Sequence, residues 1–154
     1  MAKILNTTST EVAVLPEGFV PMVQENNLMQ DLDLGSYYSV DPQTDNEKIN
    51  LYNCLNAPDE RVADHINEII SVKDILVEMV ELENDETGET TKCPRIILID
   101  EKGKSYACVS VGIFSALQKT IKLFGAPTWT TPKKFKVKQI TKGKKTMLSL
   151  EMVK

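Results

Sequence analysis

The spacing of apolar residues changes twice along this chain, and the changes mark its elements. Between Ala63 and Leu82 the apolar positions are mostly β-branched (Ile66, Ile69, Ile70, Val72, Ile75, Val77, Val80), which favours strand over helix. Ile70 and Val72 share one parity, while Ile75, Val77 and Met79 share the other. A bulge or bend near Lys73–Asp74 is therefore expected. Residues 83–92 are polar and aperiodic, and predict a loop. "PRIILID" predicts a buried strand, "EKGK" a turn and "SYACV" the returning strand, so residues 94–109 form a hairpin. The period then becomes helical. Phe114, Leu117, Ile121 and Phe124 recur on one stripe beside Ile113 and Leu123, with Ser110 as N-cap and Gly125 as stop. Two strands follow, "KKFKVKQI" and "TMLSLEMV", joined by a turn at Gly143.

Upstream, "KINLYNCLN" alternates and predicts an added edge strand, closed by the turn "NAPDE". Residues 1–47 carry short apolar patches split by Pro16, Gly18, Pro21 and Gly35, so an extended or disordered acidic arm is expected there. Residues 48–154 then form the folded domain. A long bent strand, a hairpin, one helix and a second hairpin are the order of an OB-fold, a five-stranded Greek-key barrel. The expected class is all-β with one helix. An open α+β sheet with a single covering helix is the alternative.

Charge alters this picture more than composition does. Overall the chain carries −4. Residues 1–100 hold six Lys/Arg against twenty Asp/Glu, a net of −14, and residues 101–154 hold twelve against two, a net of +10. Seven lysines fall between Thr131 and Lys145, with no carboxylate among them. Such asymmetry suggests an anionic partner for the C-terminal part.

Alternation sharpens the suggestion. On a strand, Lys134, Lys136 and Lys138 share one face while Phe135 and Val137 face the core. Lysines two residues apart stand about 6.6 Å apart along the strand, comparable to the phosphate repeat of an extended single strand. Lys142, Lys144 and Lys145 continue the row. Lysine tracks phosphates as a flexible point charge without reading sequence. Non-specific single-strand binders add rings on which bases stack. Tyr106, in phase with Lys104, is the candidate platform, with Arg95 on the neighbouring strand and Trp129 just before the lysines. The competing reading makes Trp129 a plug at the helix end. Phe114, Phe124 and Phe135 belong to the core by phase.

Little in the sequence argues for chemistry. His65 stands alone beside Asp64, with no nucleophile motif around it. Cys54, Cys93 and Cys108 lack zinc spacing and fit a reducing compartment. Phosphate-loop and dinucleotide motifs are missing. Asp100-Glu101-Lys102 has the form of half a metal-dependent nuclease site, although charged residues are ordinary in such a turn. No enzyme, cofactor or metal is expected. The longest apolar run, Ile96–Ile99, is far short of a membrane span. "MAKILNTTST" lacks a signal-peptide core, so a cytoplasmic location is expected.

"LYNCLN", "HINEIISVKDILVE", "TGE", "RIILIDEKGKSYACVSVGI" and "LFGAPTW" together resemble the small single-stranded DNA-binding proteins encoded by viruses of Gram-positive bacteria and related mobile elements. The resemblance covers about residues 49–153. It implies an OB-type barrel and a helix-destabilising or strand-coating role in phage DNA replication, and with the lysine row the expected function is sequence-tolerant coating of strands during replication or recombination in the host bacterial cytoplasm. Single-stranded DNA is the partner it implies. The acidic arm is a candidate contact for replication or recombination proteins, and further copies of the chain could join it on the strand. A protein-interaction module docking an acidic partner, and a metal-dependent nuclease, are the alternatives.

Overall fold

The computed structural model describes Leu32 and residues 35–154. The remainder of the expected arm, residues 1–31, 33 and 34, lies outside the described residues. Strands β1 (Ser36–Tyr38), β2 (Glu60–Arg61), β3 (Ile69–Glu83), β4 (Thr90–Asp100), β5 (Ser105–Val109), β6 (Lys133–Lys142) and β7 (Lys145–Met152) build one mixed sheet, with helices α1 (Asp45–Asn56) and α2 (Val111–Phe124). The strand order is β2-β5-β4-β3-β6-β7, with β1 also on β3.

β3 is the spine. One of its edges takes β6 along residues 69–72 and β1 along residues 76–78, while β4 runs along the other. The register shifts between Val72 and Asp74, where the parity of the apolar residues had placed a bulge. Ile70, Val72, Ile75 and Val77 thereby all reach one core, which a straight strand could not achieve. Asp74 is buried at the bulge and accepts hydrogen bonds from Ser39 Oγ (2.8 Å) and Thr128 Oγ1. Part of the segment expected as an arm is thus woven into the sheet through β1.

The sheet curls. Val62–His65 forms a 3-10 turn after β2. Asn67 N then donates to Val137 O (2.7 Å), and Val137 N donates to Glu68 O (3.0 Å). These bonds carry the chain from the β2–β5 side across to β6, giving a half-barrel. β-rich architecture is as expected, but the sheet has seven strands and the described residues hold two helices.

The second helix is a correction. Residues 48–55 are not an edge strand but most of α1. Thr44 accepts from Glu47 N (3.1 Å) while the Glu47 carboxylate accepts from Thr44 N (3.1 Å), a capping box that nucleates the helix. No residue of α1 is buried, so it has no apolar stripe to betray it. The loop expected over residues 83–92 is also shorter, because β3 and β4 extend as an exposed ribbon to Glu83 and Thr90. A ribbon wet on both faces shows no alternation.

α2 forms where expected. Ser110 Oγ accepts from Ile113 N (3.1 Å), and Gly125, at φ +87°, closes the other end by donating to Ile121 O (2.8 Å). Ile113, Leu117 and Ile121 seal the half-barrel against Ile96, Leu98, Phe135 and Val137. Among the described residues no helix is long and apolar enough to cross a membrane.

Candidate nucleic-acid interface

Phe135 and Val137 are fully buried, and Lys134, Lys136 and Lys138 therefore project from the opposite face of β6. Cross-strand pairing fixes their surroundings. Ser71 and Ile69 of β3 lie beside Lys134 and Lys136, and Glu151, Ser149 and Met147 of β7 lie beside Lys136, Lys138 and Ile140. Lys142 faces Lys145 at the hairpin tip, with Lys144 between them in the turn. Among the described residues none of these lysines makes an ion pair within 4 Å. Glu101 and Glu151 bracket a stretch of the chain without any carboxylate. The row is thus a strip of positive charge without ion pairs, its first three lysines set by the buried Phe135 and Val137.

The aromatic half of the expected platform is elsewhere. Tyr106 pairs with Leu98 and joins the core, at 8% exposure. Its hydroxyl donates to Asp100 Oδ2 (3.2 Å). Burial, reinforced by the Asp100 charge, pushes its pKa up to about 12. Trp129, at 5% exposure, is the plug at the helix end. Its Nε1 donates to Gly125 O (3.0 Å), and its ring lies tilted against Phe135 at 6.4 Å. Neither ring offers an open face for stacking in this structure, where both were expected to form a shelf. The parity of "SYACV" suited either face, and the core claimed it.

The two outlying cations are already partnered. Arg95 pairs with Glu78 (3.3 Å), which also accepts from Tyr38 Oη (3.2 Å), and it points to the face opposite Tyr106. Lys104 pairs with Glu60 (3.4 Å). Of the ten residues singled out, the lysines of β6, the turn and the start of β7 form one row, and Lys104 lies apart from it over the Tyr106 ring, 6.0 Å from the centroid. Asp100 is occupied as a turn residue, since its Oδ1 accepts from Lys102 N and Lys104 N (2.9 Å each). Among the described residues no group of three or more His, Cys, Asp or Glu is placed to hold a metal ion.

Two features escaped the sequence. Phe124, assigned to the core by phase, is 53% exposed because α2 ends there and Gly125 turns the chain away. Lys133 Nζ lies 4.6 Å from its ring centroid. His65 is held between Glu60 (Nε2 to Oε1, 2.6 Å) and Glu68 (Nδ1 to Oε1, 2.9 Å), with Tyr106 edge-on at 5.2 Å. The Glu68 hydrogen bond, with that of Glu60, raises its pKa against the opposing effect of burial.

The model of the Phi29-type phage single-stranded DNA-binding proteins matches residues 36–153. The chain belongs to that family. The match begins at β1, ahead of residue 49, where the resemblance in the sequence begins, in keeping with the pairing of β1 to β3. No curated protein and no solved structure matches the chain. Membership supports a single-stranded DNA-binding role.

Proposed function

We propose that this phage single-stranded DNA-binding protein coats strands without sequence preference during DNA replication or recombination, in the host bacterial cytoplasm, with the curled sheet serving as an OB-type platform. The observation that carries this reading is the one-sided row Lys134, Lys136 and Lys138, spaced about 6.6 Å apart over a buried Phe135 and Val137. A rigid row of point charges at that spacing follows a phosphate chain and leaves the bases unread.

The test is the salt dependence of oligo(dT) binding. Log affinity falls linearly with log salt, by about 0.7 per phosphate neutralised on a single strand. Lys136→Ala reduces that slope by less than one and weakens all sequences alike. An affinity unmoved between low and high salt would defeat the proposal.

A further inference from the structure

The face of β6 that carries Lys134, Lys136 and Lys138 continues through Ile140 to Lys142. The register sets Met147 of β7 directly opposite Ile140. Ile140 is 39% exposed and Met147 45%, so an apolar cross-strand pair stands open to solvent inside a lysine field. The groove that this pair helps to line also takes in Ala116, Lys119 and Leu123 of α2, and Phe135, Leu150 and Met152 from the core-facing side of the hairpin. Helix and hairpin enclose a groove of about 510 Å³. That volume falls within the roughly 300–1,000 Å³ usual for ligand clefts. No carboxylate lines the groove, and its charged residues are Lys119 and Lys142 on opposite walls.

We propose that this groove seats unstacked bases of the single strand, with Ile140 and Met147 as the platform and Lys119 and Lys142 on the adjoining phosphates. The inference rests on the single-strand reading above and adds where the bases go. A base presents a flat π-face, and a thioether makes favourable sulfur–aromatic contacts with such a face. The pair thus supplies what buried Tyr106 and Trp129 do not. Lysines beside exposed apolar residues also guard a sheet edge against pairing. Edge protection, however, needs no second wall, and here α2 supplies one. An acidic, apolar peptide would match the same charges. The single-strand reading, together with Lys142 at the end of the lysine-bearing strand, favours a polymer with a repeating anion.

The experiment compares the full chain with its Ile140→Ser and Met147→Ser variants. The probes are oligo(dT) and an abasic oligonucleotide of equal length, at one salt concentration. Wild type should bind oligo(dT) more tightly. Each substitution should weaken oligo(dT) binding roughly two- to tenfold and leave abasic binding unchanged. In methionine-labelled wild type, the Met147 methyl resonance should shift upfield with oligo(dT) and stay put with the abasic strand. If wild type binds neither probe, the single-strand reading fails and takes this one with it. Equal binding of both probes leaves the lysine strip standing and overturns the base seat. So does a Met147 resonance that ignores oligo(dT), or one moved only by an acidic peptide, which would give the groove to a protein partner. Substitutions that weaken both probes equally overturn it as well.

Discussion

Lys136 and Glu151 stand directly opposite each other on β6 and β7, so the middle lysine of the strip has a carboxylate as its cross-strand neighbour. A like-facing acid beside a phosphate track opposes binding. Glu151→Gln should therefore tighten oligo(dT) binding about two- to threefold at low ionic strength, in line with the ~0.5 kcal/mol typical of exposed charge pairs. The gain should fade as salt shortens the screening length. Equal affinities for variant and wild type at low salt would place the DNA track off this face.

Gly112 lies in the first turn of α2 where the helix meets the edge of β7. A Cβ at this position would clash with Leu148 O, a backbone atom that cannot swing aside. Ser110 Oγ donates to the same carbonyl (3.3 Å) and holds it in place. Gly112→Ala should cost on the order of 1–3 kcal/mol, the range of overpacked contacts. At roughly 2–4 °C per kcal/mol for a chain of this size, thermal unfolding would register it clearly. An unchanged Tm would mean that α2 sits farther from β7.

Those two sites illustrate what the sequence could and could not disclose. Lys136 was legible because alternation is a local property of a strand, and Phe135 and Val137 on either side left no other phase. The bulge at Lys73–Asp74 was legible for the same reason, as a slip in parity. Ser110 and Gly125 marked α2 through backbone chemistry that needs no tertiary context. α1 was hidden because its sole strong signal, the Thr44–Glu47 capping box, precedes a segment with no apolar stripe, and the alternation of Ile49 and Leu51 pointed the other way. Tyr106 was hidden for a different reason. A five-residue strand with small residues on both parities does not say which face is the core, and that depends on where β4 and the His65 turn pack. Phe124 fits the helical stripe in phase but falls where the helix, and the core beneath it, end.

His65 links the 3-10 turn to β2 and to the start of β3 through Glu60 and Glu68, and Lys104 reaches the same Glu60 from the β4–β5 turn. Its folded pKa is raised by Glu68 first and Glu60 also, so folding takes up a proton that the unfolded chain binds less tightly. The stabilisation is full below the unfolded value of about 6.5 and is lost as pH rises through the higher folded value. Wild type should therefore lose Tm between about pH 6 and 8. His65→Gln should start lower and stay flatter over that window. Parallel pH curves for the two proteins would exclude the imidazolium clasp.

Trp129 tests the division between core and interface. Its indole is sealed by Phe135, and its Nε1–H is satisfied by Gly125 O, so its emission should be blue-shifted and resist acrylamide. Because the ring has no free face, saturating oligo(dT) should leave that emission within about a tenth of its starting intensity, unlike the strong quenching expected of a stacked indole. Trp129→Phe removes a hydrogen bond and leaves a void at the helix end, worth roughly 1–3 kcal/mol together, so Tm should fall by several degrees. Oligo(dT) affinity and its salt slope should stay within twofold of wild type, since every charge of the strip remains. A lost salt slope, or deep quenching of the wild-type protein with its near-ultraviolet dichroism intact, would show that DNA reaches the indole and that the interface lies at the helix end rather than along β6.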